Sequence, residues 1–195
     1  MNDSIAIPMF PLAILPLPGE LVPLHIFEPR YRQLLQDCEE RDVVFGIYFT
    51  HKANVDRVGS LMKLESVIKR HPGGESDIIV RCVDLLSMDM LYRTYPDKLY
   101  PGGDVRLWNV DVAQSVSTAL HDQYVAYLGQ LGINKKPARV TVFDIANELS
   151  LDFSDRLKFV LMDTDKREAF LQHHIRYQSF LLERAEQAKD VFHLN

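Results

Sequence analysis

The chain has 195 residues, of which 47% are hydrophobic and 25% are charged, and its formal net charge is −5. These values are typical of a soluble globular protein with a sizeable core, and the acidic balance on both sides of residue 114 disfavours binding to a nucleic-acid backbone. The sequence shows no secretory signal and no apolar run approaching the roughly 20 residues of a membrane span. We therefore expect a cytoplasmic protein that binds neither nucleic acid nor membrane.

The first part of the chain is dominated by patterns typical of β-strands. Short apolar or alternating stretches predict strands at residues 5–12, 20–27, 43–49, 58–69, 77–83 with an extended continuation to 91, and 105–112. Gly59 indicates a bulge, and glycine-rich segments at 71–75 and 100–104 indicate turns. Many short strands favour a closed or partly closed barrel.

One early helix interrupts these strands. Pro29 suits a first helical turn, where its missing N–H has no partner to lose, and Glu28 complements the positive end of the helix. Apolar residues then recur at helical spacing, at Tyr31, Leu34, Leu35 and Cys38. This pattern predicts an amphipathic helix over residues 29–40 that lies on a sheet. Cys38 and Cys82 both lie in apolar patterns, and we expect two buried, reduced thiols.

A proline-rich loop between the first two predicted strands carries large apolar side chains. It spans residues 14–18 and includes Ile14, Leu15 and Leu17. Apolar residues in a loop either fill the core or stand exposed as a contact patch, and the sequence leaves both alternatives open.

From about residue 115 the hydrophobic period becomes helical. Ser115, Ser117 or Thr118 caps a predicted helix that runs to about Leu131, with Gly132 as its stop. The other helices are predicted at residues 142–149, from Asp152 or Ser154 to 161–162, and from 163–165 to about 191. Several helices of this kind predict a bundle.

Three motifs of this sequence resemble one known family. Residues 8–12 read P-x-F-P-L, residues 17–31 read L-P-G-E-x-x-P-L-H-I-F-E-P-R-Y, and residues 45–47 read F-G-I. This pattern is similar to the N-terminal domain of Lon-type ATP-dependent proteases, and residues 142–183 resemble the helical portion that follows it. The resemblance implies a substrate-recognition domain without chemistry of its own. In one departure, residues 81–84 read R-C-V-D where the family usually has a glycine and a basic stretch.

Together these patterns predict an α+β fold in two domains. Residues 1–114 are expected to form a β pseudo-barrel with one early helix, of the PUA-like type that the resemblance implies. Residues 115–195 are expected to form a C-terminal α-helical bundle.

The sequence lacks the motifs of a complete Lon-type protease. Residues 129–136, the stretch richest in glycine and lysine together, do not have the spacing of a phosphate-binding loop. The signatures G-x-S-x-G, H-E-x-x-H and C-x-x-C are also missing. We therefore expect no enzymatic activity, no cofactor and no metal.

The histidines are the remaining candidates for chemistry. His173 and His174 are adjacent, so on a helix they point about 100° apart and share a metal only with the help of other ligands. In an extended strand, His25 shares a face with Pro23 and Phe27. We interpret His25 as a wall or core residue in preference to a catalytic base.

The start of the early helix carries a possible charged rim. Arg30 and Arg32 flank Tyr31 there, and helix-surface charge is the simpler interpretation. The alternative interpretation places a polar edge around an apolar contact patch on the proline-rich loop. On that alternative, the predicted substrate-binding residues are Ile14, Leu15, Leu17, His25, Arg30, Tyr31 and Arg32.

Three functions are compatible with these patterns. The first, which we favour, is a non-enzymatic module that binds unfolded polypeptide or exposed apolar segments, as an adaptor in proteolysis or protein quality control; an extended peptide could also add to a sheet edge. The second uses the PUA-like barrel to bind RNA or a modified nucleotide, and the acidic balance argues against it. The third is a small-molecule enzyme in which His25 acts with a nearby carboxylate in a deep pocket.

Overall fold

The structure is a computed structural model that describes residues 4–134 and 136–192, with side chains described as far as residue 185. The ends of the two predicted domains, residues 1–3 and 193–195, lie outside the described residues. The chain divides into two compact units, the first ending at Val112 and the second beginning at Ala113. Strands are found in the first unit and four of the helices in the second, so the fold is α+β.

The elements agree closely with the predicted stretches. The strands are β1 (Ile5–Leu12), β2 (Leu21–Ile26), β3 (Phe45–Phe49), β4 (Val58–Arg70), β5 (Ser76–Tyr92) and β6 (Gly102–Leu107). The helices are α1 (Pro29–Arg41), α2 (Thr118–Gln130), α3 (Val142–Glu148), α4 (Phe153–Leu161) and α5 (Thr164–Phe192). The two extended stretches predicted between residues 77 and 91 form one continuous strand, β5.

The strand pairings of the first unit form a ring. The strand order is β2-β5-β4-β3-β1-β6, and β6 pairs in addition with β5. The pair β1–β3 is parallel, and the other pairs are antiparallel. The 17 residues of β5 are enough for it to pair with β2, β4 and β6 along its length. Among the described strands, β2 pairs with β5 alone, so it is the edge strand of this sheet.

Two apolar clusters fill the first unit, and one of them includes the buried face of α1. The α1 residues in that cluster are Tyr31, Leu34, Leu35 and Cys38, at the predicted helical spacing.

The two cysteines, Cys38 and Cys82, are buried and form no disulfide, as predicted. Burial raises the pKa of the Cys38 thiol to about 12, with neighbouring carboxylates adding to the shift. The thiol is therefore protonated and unreactive near neutral pH.

The last strand is displaced from its predicted position. The alternating pattern predicts a strand at residues 105–112, whereas β6 covers Gly102–Leu107. Gly103 belongs to the strand because the backbones approach closely there: a Cβ on Gly103 would lie 2.7 Å from the carbonyl oxygen of Met90. Asn109, with φ of +50°, then turns the chain out of the extended conformation.

The bulge predicted at Gly59 is wrong. Gly59 pairs regularly with Tyr48 on one side and with Leu86 on the other. A Cβ on Gly59 would lie 2.6 Å from the carbonyl oxygen of Ile47, so glycine allows β3 and β4 to approach. The register shifts between β4 and β5 lie in residues 61–69 instead.

The helices of the second unit begin at capping side chains. Ser117 caps α2, and the carboxylate of Asp152 caps α4 by accepting the N–H of Asp155 at 2.8 Å. Thr141 and Asp144 form a reciprocal capping box at the start of α3. Of the caps that the sequence offered for α2 and α4, the structure therefore selects Ser117 and Asp152.

The interior of the second unit is apolar. Its most deeply buried large side chains come from all four helices and are Leu120, Ile145, Phe159, Leu171 and Ile175. Helix α5 contacts both α2 and α3. Among the described residues, none of the helices has the combination of length and apolar character that crossing a membrane requires.

Candidate functional site

The proline-rich loop at residues 14–18 is tied into the first unit. Leu15 and Leu17 are 1% and 0% exposed. The carbonyl oxygen of Pro16 accepts a hydrogen bond of 2.6 Å from the hydroxyl of Ser60 on β4. Of the two alternatives for this loop, its leucines therefore take the core position and offer no free side-chain surface to a partner in this conformation.

Two further apolar residues of the predicted binding set, Tyr31 and Ile14, are also buried or partly buried. Tyr31 is buried, and its ring stacks on Phe10 with the ring centroids 3.9 Å apart. Ile14 is partly buried and packs against the same apolar cluster. Arg30 is exposed, pairs with Glu28 at 2.7 Å and lies with its guanidinium 4.6 Å from the Tyr31 ring centroid. Arg30 thus covers the Tyr31 ring at the start of α1.

Strand β2 sends alternate side chains to opposite sides of the sheet. The residues that pack inward are Val22, Leu24 and Ile26. On the other side, Leu21 is 50% exposed and Phe27, just after the strand, is 57% exposed. His25 shares this outer side with Pro23 and Phe27, as predicted. His25 lies on a strand of the sheet, but this side meets solvent, so the interpretation of His25 as a core residue is wrong.

The register of the sheet places β5 residues beside the exposed row of β2. The facing pairs are Leu21–Arg81, Pro23–Ile79 and His25–Asp77. We define the β2 surface as these six residues together with Phe27. Within it, Arg81 is held by two hydrogen bonds to the carboxylate of Glu65, of 2.9 and 2.8 Å. The β2 surface therefore combines an apolar row with charged groups whose positions are fixed by partners.

Asp77 lies between two imidazoles. Its Oδ1 is 2.6 Å from Nδ1 of His25, and its Oδ2 is 2.7 Å from Nε2 of His71. These two hydrogen bonds hold the pKa of the Asp77 carboxyl below its ordinary value. The sequence pattern does not single out His71 or Asp77, because only the pairing of β2 with β5 brings them to His25.

Arg32 of α1 reaches the same end of the sheet. Its Nη1 donates a 3.0 Å hydrogen bond to the carbonyl oxygen of Gly73, and its Nη2 lies 3.5 Å from the carboxylate of Glu75. Arg32 therefore ties α1 to the turn between β4 and β5. Of the predicted site residues, Arg32 binds this turn at Gly73 and Glu75. His25 shares the carboxylate of Asp77 with His71 of the same turn.

The enzyme alternative requires His25 to meet a carboxylate inside a deep pocket. The carboxylate of Asp77 is present, but the side chains of His25 and Asp77 are 53% and 40% exposed on the open face of the sheet. A reacting group there is not shielded from water. The geometry does not support catalysis by this pair.

The fold and this surface define a class of protein: an α+β chain in which a β-rich unit with one open edge strand precedes a helical unit. The chain belongs to the family described as the ATP-dependent protease La (LON) substrate-binding domain, whose family model matches residues 6–173. The family assignment confirms the resemblance carried by the three N-terminal motifs.

Two solved structures share this fold. The Lon N-terminal domain protein from Xanthomonas campestris is 20% identical and superposes with a TM-score of 0.65, covering 85% of this chain and 95% of the other. The N-terminal domain of the Mycobacterium avium complex Lon protease is 15% identical, with a TM-score of 0.61 and coverage of 88% and 98%. At these identities the likeness shows a common fold. Among curated proteins, no sequence matches this chain significantly.

Proposed function

We propose that this chain is a non-enzymatic module that binds unfolded polypeptides or exposed apolar segments, acting as an adaptor in protein quality control in the cytoplasm. The observation that carries the proposal is the β2 surface, where an edge strand presents large apolar side chains to solvent. The family description names substrate binding for an ATP-dependent protease, and the substrates of proteases are polypeptides. Both observations favour a polypeptide ligand.

The architecture that accompanies this proposal has two domains. The ring of strand pairings supports a PUA-like β pseudo-barrel over residues 1–114, with β2 attached to it as an additional strand. The capped helices support a helical bundle over residues 115–195. In this arrangement the β2 surface belongs to the first domain.

The apolar side chains of the β2 surface supply affinity without sequence specificity. Leu21 and Phe27 each leave about half of their surface in water. Complete burial of such a side chain contributes about 1.5–3 kcal/mol, and burial of the exposed half contributes a corresponding part. The two side chains together are therefore sufficient to change affinity by a factor of ten or more.

The backbone of β2 supplies a second, sequence-independent contact. One side of the strand pairs with β5, and among the described strands none pairs with the other side. An extended polypeptide binds such an edge through backbone hydrogen bonds. Pro23 lies within β2, which agrees with an edge position because proline cannot donate to a neighbouring strand.

Charged side chains of β5 face this apolar row. In the register of the sheet, Asp77 lies opposite His25 and Arg81 lies opposite Leu21, and Arg32 of α1 binds the neighbouring turn at Gly73. A polar rim around an apolar centre is the usual composition of a protein interface. Of the predicted substrate-binding residues, the β2 surface includes His25, whereas Arg30 and Arg32 lie outside it on α1.

The test is a calorimetric titration of the chain with a permanently unfolded protein, such as reduced and carboxymethylated lactalbumin. The double variant Leu21→Ser, Phe27→Ser is expected to weaken binding at least about tenfold, because both apolar contacts are lost. Val55→Ser is the matched control, since Val55 is an exposed apolar residue in the turn before β4. Equal binding by the double variant and the control would overturn the proposal, as would a complete lack of binding by the unchanged chain.

The nucleotide-binding alternative is tested on the same material. Mixed RNA at low salt is expected to show no salt-sensitive retardation in a gel, because both parts of the chain are acidic. A retardation that disappears with added salt would favour RNA in place of polypeptide.

A further inference from the structure

We propose that His25, His71 and Asp77 form a binding site for a divalent transition-metal ion, with Zn²⁺ as the expected occupant. The three residues come from β2, from the turn between β4 and β5, and from β5. The inference is independent of polypeptide binding, because it depends on the ligand atoms alone.

The ligand atoms of the three residues converge. One atom from each of His25, His71 and Asp77 lies within 4.8 Å of both others. In tetrahedral zinc sites the ion lies about 2.0–2.2 Å from nitrogen and oxygen ligands, so neighbouring ligand atoms are about 3.4 Å apart. The two contacts of Asp77 with the imidazoles, at 2.6 and 2.7 Å, are shorter than this spacing. Small side-chain rotations that open these two contacts would therefore admit the ion.

The chemistry of the three ligands selects the class of metal. Imidazole nitrogen suits zinc, copper, nickel and iron, whereas magnesium and calcium prefer oxygen ligands alone. Two imidazoles and one carboxylate match the set of three protein ligands found in open zinc sites, where a fourth position holds water. The side chains of His25, His71 and Asp77 are 53%, 29% and 40% exposed, which leaves room for that water.

The backbone holds the three ligands in place before any ion binds. His25 and Asp77 face each other in the β2–β5 register. His71 is held in its turn by two backbone hydrogen bonds, from its N–H to the Glu75 carbonyl at 2.8 Å and from the Gly74 N–H to its own carbonyl at 2.9 Å. Because these elements are already paired, metal binding requires only side-chain rotation.

A second role for the same geometry is a purely structural one, in which the Asp77 carboxylate bridges two imidazole N–H groups. The two roles make different predictions for metal affinity. If the cluster is only a structural bridge, the chain binds zinc no more tightly than isolated surface histidines do. If the cluster is a metal site, the zinc affinity is higher and depends on both His25 and His71. His173, exposed on α5 outside the cluster, supplies the matched histidine control.

The first experiment is a calorimetric titration of the untagged, intact chain with Zn²⁺ in the absence of any polypeptide. One ion per chain is expected to bind. His25→Ala and His71→Ala are each expected to weaken binding at least about tenfold, because loss of a direct ligand costs no less affinity than loss of a residue that merely orients one. His173→Ala is expected to stay within twofold of the unchanged chain. Equal loss in all three variants, or no loss in the first two, would overturn the site.

The second experiment needs no variant and so remains valid if a substitution disturbs folding. Nuclear magnetic resonance of the imidazole nitrogens in the unchanged chain is expected to show Zn²⁺-dependent shifts at Nδ1 of His25 and Nε2 of His71. Shifts confined to other histidines would overturn the proposal. The absence of a saturable change up to about 1 mM Zn²⁺ would also overturn it, because a dissociation constant above that concentration corresponds to very weak binding. A normal zinc response combined with failed polypeptide binding would leave the metal site intact and reject only the proposed function.

Discussion

The two units of this chain use polar side chains in different ways. The first unit buries polar residues, namely Asp37, Asn54, Ser60, Ser76 and Asp84. In the described part of the second unit, the capping side chains are exposed or half-buried, and the buried side chains are apolar apart from two tyrosines, Tyr124 and Tyr127. Helices satisfy their own backbone groups except at the ends, whereas the loops that connect the strands need side chains as partners.

Asn54 shows how a buried side chain of the first unit satisfies the backbone hydrogen-bonding groups of a loop. Its amide nitrogen donates to the carbonyl oxygens of Phe49 and Val58, at 2.8 Å each, and its amide oxygen accepts the N–H of Val58 at 2.9 Å. One buried side chain therefore closes the connection between β3 and β4. We therefore expect that replacing one polar residue lowers the free energy of unfolding strongly in the first unit, where such residues are buried, and weakly in the second unit.

The largest effect is expected from an apolar residue of the second unit. Phe159 is fully buried, and its ring contacts the ring of Phe143 edge-on with the centroids 5.8 Å apart. Phe159→Ala is expected to lower the free energy of unfolding by about 4 kcal/mol, because a large cavity remains. Chemical denaturation followed by circular dichroism measures this value. Phe153→Ala, at an exposed position of the same helix, is the matched control, and equal losses would contradict an apolar core here.

The second-largest loss of stability is expected from a substitution of Asp84 in the first unit. Its carboxylate accepts hydrogen bonds from the N–H groups of Leu85, Asn109 and Val110, at 2.8, 3.0 and 3.0 Å. Asp84→Ala is expected to destabilise the chain by about 3 kcal/mol, because three backbone donors lose their acceptor. Asp56→Ala, at an exposed position, is expected to change stability by less than about 0.5 kcal/mol in the same denaturation experiment. Similar losses of stability for both variants would contradict the stabilising role assigned to the buried polar residues of the first unit.

Asp37 gives a pH-dependent version of the same prediction. Burial raises the pKa of its carboxyl, but hydrogen bonds from Lys98 and Tyr100, at 2.8 and 2.7 Å, outweigh burial and lower the pKa below 3.8. A lowered pKa means that the carboxylate stabilises the fold above pH 3.8 and that this stabilisation is lost as the pH falls through the folded-state pKa. Asp37→Asn is expected to lose about 2 kcal/mol at pH 7.

Denaturation at a series of pH values checks the Asp37 prediction. The difference between the unchanged chain and Asp37→Asn should narrow as the pH falls below 3.8, because the native aspartate is then also neutral. A difference that stays constant down to pH 2 would show that the charge of Asp37 does not stabilise the fold.

The smallest effect is expected from a helix cap of the second unit. Asp152→Ala removes the acceptor for the first turn of α4 and is expected to cost about 1 kcal/mol. Ser154, the other cap that the sequence offered, lies within the helix and is exposed. Ser154→Ala is therefore expected to change the free energy of unfolding by less than about 0.5 kcal/mol. The reverse order of the two losses would assign the cap to Ser154.

Most elements could be predicted because local patterns determine them. Helix α1 begins at Pro29 and buries apolar residues at helical spacing, from Tyr31 to Cys38. Both the start of the helix and its inward face could therefore be predicted from the sequence. The position of β6 could not be predicted, because Gly102 and Gly103 are typical of a turn and their role depends on the close approach of β5. Asp84, which holds the segment after β6, is 25 residues away from Asn109 in the chain.

The candidate site was only partly predictable for the same reason. Alternation in β2 correctly placed His25 on the side of Pro23 and Phe27. Whether that side faced the core depended on which side α1 covers, and the partners of His25 depended on the pairing of β2 with β5. The burial of Leu17 likewise follows from distant contacts of its loop, such as the bond between Pro16 and Ser60.

The position of Pro23 in the edge strand also limits how copies of this chain can associate. An open strand edge can serve as a template on which further chains stack into a continuous sheet, and long uninterrupted edges promote fibril growth. Pro23, near the middle of β2, has no N–H group and so removes one hydrogen-bond donor from the open edge. Only short stretches of the strand on either side of it can donate to another chain. The proline therefore limits the open-ended stacking of further strands on β2.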